Sequence, residues 1–149
     1  MKRTVFLALA LFALMAVGVY AQTGTPGLEF TAINNNKEYS VAKGTVKSGV
    51  VVIPASYNNL PVKAIFQGAF EGAQIFEVTI PASVITIGAN AFANCLGLTS
   101  VTFGCTLPQS DFDANAFKGL GDLRDKYFAA GGGAGTYTRK GGGSTWTKK

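Results

Sequence analysis

Few side chains in this sequence could do chemistry. The 149 residues contain no histidine, which removes the commonest general base and neutral metal ligand. A Ser-His-Asp or Cys-His centre is thereby excluded. The two cysteines, Cys95 and Cys105, are too few to close a four-ligand zinc site without histidine. Asp111 and Asp113 form the nearest carboxylate pair. On a loop they could touch a cation, but the Pro and Phe around them read as turn chemistry. Glu71 and Glu77 read as solvated surface. The glycine runs near the C-terminus lack the strand-to-helix context of a phosphate cradle. The expectation is a protein that is not an enzyme, with no cofactor and no metal.

What remains is chemistry of contact. In Val78-Thr79-Ile80 and Val101-Thr102-Phe103 the middle side chain of a strand points out while its neighbours point in. Thr79 and Thr102, with Glu77 and Ser100 beside them, are the first candidate ligand surface. Threonine equally suits any exposed strand. The second candidate is Tyr137, Arg139 and Trp146, aromatic and cationic groups that could meet glycans, peptides or anionic surfaces. Against that, the two rings could pack on a neighbouring helix to support their hairpin.

The elements that must position these groups are repeated. Ile65, Ala69-Phe70, Ile75 and Val78-Thr79-Ile80 recur as Ile87, Ala91-Phe92, Leu98 and Val101-Thr102-Phe103. The spacing is 22 residues at Ile65/Ile87 and Phe70/Phe92, and 23 at Ile75/Leu98 and Val78/Val101. A fixed period of this length marks a solenoid, in which each unit buries its apolar face against its neighbours. Val50 to Ile53, closed by Pro54, repeats the ending Ile80-Pro81, because proline has no N–H for the ladder. Asp113-Ala114-Asn115-Ala116-Phe117 carries the Ala-Phe motif again, and Phe112 is the nearest match to Ile87. The Ala-Phe segments are too short for ordinary α-helices and predict one helical or 3₁₀ turn each, with the rings stacked from unit to unit.

Val78 to Val84, Ile87 to Phe92, Asn94-Cys95, Leu98 and Ser100 to Phe103 together resemble the BspA-like leucine-rich repeats of bacterial surface proteins. The resemblance covers about residues 50 to 117; Ala73 departs from it where Cys95 would align. It implies a short leucine-rich-repeat array, a curved solenoid with a parallel sheet on the concave face, mainly β with short helical turns. Family members are exported and often implicated in adhesion to host matrix proteins or other bacteria. The resemblance implies no enzyme activity.

The flanks complete the expected organisation. Lys2-Arg3, the 13-residue apolar run from Val5 to Val17 and Val19-Tyr20-Ala21 read as a signal peptide over 1–21. The run is short of the ~20 residues a membrane span needs. No cysteine follows it to accept a lipid, and no later stretch is a membrane span. Residues 22–49 are expected to form an N-terminal β-hairpin cap after a loose lead-in from Gln22 to Gly27, the hairpin turning at Asn34-Asn35-Asn36. Ser56 to Leu60 reads as a loop. Residues 50–130 hold the repeats and a C-terminal helical cap over Leu123 to Ala130, with Asp122 as N-cap. Residues 131–149 are a Gly-rich basic tail, with a flexible linker over Gly131 to Gly135 and a small hairpin pairing Thr136-Tyr137-Thr138 with Thr145-Trp146-Thr147.

Charge and cysteines narrow the partners. The chain carries 13 basic and 8 acidic residues, a net +5. Without Lys2 and Arg3 the balance is 11 to 8. Without Arg139, Lys140, Lys148 and Lys149 as well it is 7 to 8. A near-neutral body with a basic tail does not match the basic face of a nucleic-acid binder. Cys95 and Cys105 flank one strand, which would hold them roughly 20 Å apart, against the ~7 Å a disulfide tolerates. Two buried thiols are expected. With the signal peptide, the resemblance implies a monomeric, secreted or cell-surface repeat protein that binds protein, adhesin-like, with a host matrix or bacterial surface protein as partner. Alternatives are a secreted glycan-binding module that uses the aromatic basic tail, or a structural paralogue with no ligand.

Overall fold

The computed structural model describes residues 24–149. The signal-peptide reading of 1–21 lies outside the described residues. The strands are β1 (Glu29–Ile33), β2 (Glu38–Ala42), β3 (Ser48–Val52), β4 (Ser56–Tyr57), β5 (Leu60–Ile65), β6 (Gln74–Ile80), β7 (Thr86–Ile87), β8 (Ser100–Phe103), β9 (Gly135–Thr138) and β10 (Thr147–Lys148). A 3₁₀ turn at Gln109–Asp111 and one helix, α1 (Leu123–Phe128), complete the described secondary structure. The protein is mostly β.

The period of 22–23 residues becomes three stacked ladders. In the first sheet β2, β5 and β7 are parallel, which puts Val41, Ile65 and Ile87 side by side. A bridge from Ile87 to Phe112 extends the column, so Phe112 fills the place left by the degenerate unit. In the second sheet β3, β6 and β8 are parallel and align Val51, Val78 and Val101. All seven side chains are buried. The third ladder is the Ala-Phe turns: Phe70, Phe92 and Phe117 stack with ring centroids 5.0 and 4.9 Å apart and planes within 14°.

The Ala-Phe segments form neither the helical nor the 3₁₀ turns expected of them, and the backbone explains why. Ala91, Ala93 and Cys95 donate N–H bonds three residues back, to Gly88, Asn90 and Phe92. The intervening N–H groups point to the neighbouring unit instead: Gly68 to Ala89, Phe70 to Ala91, Gly72 to Ala93, Phe92 to Ala116 and Asn94 to Lys118. A continuous 3₁₀ helix would turn every N–H back on itself. Left-handed residues four positions apart prevent that, Gly68 and Gly72 in one unit and Asn90 and Asn94 in the next, with φ between 56° and 66°. Glycine and asparagine are the residues that adopt this conformation at least cost.

Ile75 and Val78 both face the core although three residues apart. The β3–β6 register shifts between Gly49 and Val50, pairing Gly49 with Ile75 and Val50 with Glu77. Phe76 is therefore the unpaired residue of a bulge and turns outward.

Three stretches are more ordered than their composition suggests. The lead-in is tied down, not loose: Thr25 N–H donates to the Val52 carbonyl at 2.9 Å, Val52 N–H donates to Thr25 Oγ1 at 2.7 Å, and Gly27 accepts from Thr45 N–H. Ser56 to Leu60 is a two-residue hairpin, not a loop. Asn58 and Asn59 have φ of 47° and 64°, the left-handed pair that such a turn demands. Gly131 to Gly135 is not a free linker. A Cβ on Gly132 would collide with the Tyr127 carbonyl, and the Gly133 carbonyl accepts from the Tyr137 hydroxyl at 2.8 Å.

Helix α1 ends at Phe128, short of Ala130. Asp122 precedes it but makes no side-chain cap bond. Its Oδ1 instead accepts the Trp146 N–H at 2.7 Å, and its Oδ2 lies 3.9 Å from Lys126. Leu123 and Tyr127 bury the inner face of the helix. Tyr127 Oη donates to the Cys105 carbonyl and accepts Leu107 N–H, because a buried hydroxyl needs partners.

Candidate functional site

The register of β6 and β8 assembles the first candidate surface. Glu77 stands opposite Ser100 and Thr79 opposite Thr102. The alternation that buries Val78, Ile80, Val101 and Phe103 turns these four outward. The surface is wider than the two strands. β9 joins β8 antiparallel, so that Thr138 stands beside Ser100 and Thr136 beside Thr102. Thr102 and Thr136 share a hydroxyl–hydroxyl hydrogen bond of 2.9 Å, the cross-strand threonine pair of a sheet. On the other side Val50 pairs with Glu77 and Val52 with Thr79. Both valines are exposed, at 55% and 44%, as is the bulged Phe76 at 54%. The face is therefore a hydroxyl-rich centre with an apolar border along β3 and β6.

Sequence reasoning missed that border and the two threonines. The threonines were legible as the polar face of Thr136-Tyr137-Thr138, but nothing local says that this segment pairs with β8. The valines were hidden inside an apolar run, which reads as buried on both faces. Val50 and Val52 are exposed because β3 lies at the sheet edge and only one of its faces meets the core.

The second candidate set is redistributed. Tyr137 is 0% exposed and Trp146 1%. Both rings are buried in the fold. Tyr137 lies edge-on to Phe103, centroids 5.7 Å apart. Trp146 Nε1–H donates to the Leu120 carbonyl at 2.6 Å. The two do not mirror each other across the hairpin. β10 pairs Thr147 with Thr138 and Lys148 with Tyr137, which leaves Trp146 outside the ladder.

Arg139 is a clamp. Its guanidinium donates to four backbone carbonyls: Nε to Leu98 at 2.7 Å, Nη1 to Gly143 at 2.7 Å and Leu120 at 3.3 Å, and Nη2 to Leu96 at 3.1 Å. Its Cζ lies 5.1 Å from the Trp146 ring centre, a cation–π contact. Partial burial pulls its pKa below the usual arginine value. The fork geometry of arginine suits this use, since its N–H groups are fixed in one plane.

The other titratable groups are structural. Cys95 and Cys105 are both free and buried. Cys95 Sγ donates to the Phe70 carbonyl at 3.0 Å. Burial pushes its thiol up to about 11, against a smaller opposing effect of nearby backbone N–H groups. Cys105 and Tyr137 are pushed up by burial as well. Asp113 Oδ1 accepts Asn115 N–H at 2.7 Å, the Asx turn expected of it. Among the described residues no group of three or more Cys, Asp or Glu is placed to hold a metal ion, and no helix is long and apolar enough to cross a membrane.

No curated protein matches the sequence. The fold is similar to the crystal structure of the T. pallidum leucine rich repeat protein, with a TM-score of 0.50 and 24% identity over 58% of this chain. The match spans 42% of that protein's chain, so the likeness concerns the fold alone. A family model, BspA type leucine rich repeat region, matches residues 53–129 in 6 copies. That span is just over half of the sequence and contains β5 to β8 with their Ala-Phe turns, and the chain therefore belongs to the BspA-type leucine-rich repeat family.

Proposed function

We propose that this chain is an exported protein-binding module, adhesin-like, acting at the cell surface or outside the cell. It is read as a short solenoid closed at one end by the β1–β2 hairpin and at the other by α1 with the β9–β10 hairpin, working as a monomer. The observation that carries the reading is the outer face of β3, β6, β8 and β9. There a hydroxyl-rich centre at Thr79, Ser100, Thr102 and Thr136 adjoins exposed Val50, Val52 and Phe76. Exposed apolar side chains beside polar groups are what a protein-recognition surface offers a partner. A partner covering it would need about 800 Å² per side for a stable complex, most of this face. A host matrix or bacterial surface protein is the partner class, and family membership supports both the binding role and the location.

The experiment is capture of matrix and bacterial surface proteins by the chain beginning at Gln22, beside Thr79→Lys, Thr102→Lys and Val52→Glu variants whose circular dichroism matches the parent. Each variant is expected to lower affinity at least tenfold for whatever the parent captures. Binding left intact by all three would remove the face from consideration.

A further inference from the structure

A second feature adjoins that face. The β9–β10 hairpin encloses a hollow of about 540 Å³ lined by Thr138, Arg139, Lys140, Ser144, Thr145 and Thr147. Four of these bring hydroxyls and two bring positive charge; none is acidic. The chain contains no acidic residue after Asp125, whereas Arg139, Lys140, Lys148 and Lys149 all fall in its last eleven positions. Asp122 is engaged by Trp146 N–H and lies beside Lys126, and Glu77 stands two strands from Thr138, roughly 10 Å at ordinary strand spacing.

Arg139 makes the site more than a patch of surface lysines. Its charge is partly withdrawn from water, and every acceptor it meets is a neutral carbonyl. Of its five N–H donors, four are used in those bonds, which leaves one on Nη2. A partly buried cation without a counter-ion favours an anion brought from outside.

We infer that the β9–β10 hollow is a binding site for an oxyanion carried on a polyhydroxylated ligand, most specifically a sulfate ester of a glycan. Arg139 and Lys140 supply the charge. The hydroxyls of Thr138, Ser144, Thr145 and Thr147 supply hydrogen bonds that either donate or accept, which suits sugar hydroxyls. A single-stranded nucleic acid fits less well, because it is bound by stacking its bases on free aromatic rings, and Tyr137 and Trp146 are buried. This site borders the face of β6 and β8 but shares none of the residues substituted above.

The test is calorimetric titration of the purified protein with a heparin oligosaccharide, with its fully desulfated counterpart and with single-stranded DNA of equal charge. The sulfated sugar is expected to bind, with affinity falling as salt rises, and the other two to bind at least tenfold more weakly. Lys140→Glu is expected to lower affinity at least tenfold, and Thr147→Val about threefold or more. Lys37→Glu, on the distant β1–β2 turn, changes net charge equally and is expected to stay within twofold. The inference is overturned if the sulfated sugar does not bind, if Lys37→Glu weakens binding as much as Lys140→Glu, or if the desulfated sugar or the DNA binds as well. Lys140 is exposed, so its replacement leaves the fold intact; Thr79→Lys should leave sugar binding unchanged, which separates this site from the protein-binding face.

Discussion

The central repeats and the C-terminal segment are held together by different forces. Between Ile65 and Phe103 each unit meets the next through backbone bonds in register and through columns of like side chains, Ile65 on Ile87 and Phe70 on Phe92. Beyond Leu120 polar side-chain anchors carry much of the contact. Tyr127 Oη, Tyr137 Oη, Trp146 Nε1, the Arg139 guanidinium and Lys148 Nζ each donate to one or more particular carbonyls. The repeats distribute their stability over equivalent positions, as nearest-neighbour arrays do. The C-terminal segment concentrates its stability in a few polar anchors, each expensive to leave unmade.

The largest expected effect lies in the aromatic column. Phe92 is the middle ring of the Phe70–Phe92–Phe117 stack and is fully buried. Phe92→Ala should cost about 3–5 kcal/mol, measured by urea unfolding followed by circular dichroism. A loss under about 1 kcal/mol would mean that the column is not the common support of the repeats.

On the C-terminal side, Arg139→Ala should cost about 2–4 kcal/mol, because four carbonyls and Trp146 lose one shared partner. Arg139→Lys should recover less than half of that, since a single ammonium cannot span the four acceptors. Thermal unfolding with tryptophan fluorescence reads both, Trp146 being the chain's one tryptophan. Full rescue by lysine would show that charge, rather than the planar fork, holds the segment.

Cys95 links the regions to pH. Its folded pKa is raised to about 11 from an ordinary 9.0, so the folded state holds a proton that the unfolded state gives up first. The stabilisation is full below about pH 9 and is lost as pH rises to about 11. At 1.36 kcal/mol per pKa unit this amounts to about 2–3 kcal/mol. Cys95→Ala should flatten this part of the stability–pH curve, and the native thiol should resist alkylation at neutral pH until the protein unfolds. A curve in the variant as steep as in the parent would place the titration elsewhere.

The smallest effect probes the turn conformation. Asn94 is exposed with φ 58°. Asn94→Ala should cost about 1 kcal/mol and Asn94→Gly close to nothing. If both cost the same, the asparagine side chain rather than its backbone conformation is what the turn requires.

The sequence by itself determined the periodic part of this protein. A residue repeated every 22–23 positions has the same neighbours one unit above and below, so local pattern and tertiary contact carry the same information. The apolar columns, the stacked phenylalanines and the place of Phe112 all followed from it, and the length of one strand gave the two buried thiols. So did the outward direction of Glu77, Thr79, Ser100 and Thr102, because strand alternation fixes the face once its partner residues are known to be inside. Only the tertiary structure decided the rest. Thr-Tyr-Thr and Thr-Trp-Thr look alike whether their rings meet a ligand or the core; β9 adding to β8 made the choice for Tyr137, and Leu120 and Arg139 hold Trp146. The acceptors of Arg139 and Trp146 are the carbonyls of Leu96, Leu98, Leu120 and Gly143. Every residue carries a carbonyl, so such partners leave no mark in a sequence until the chain has brought them together.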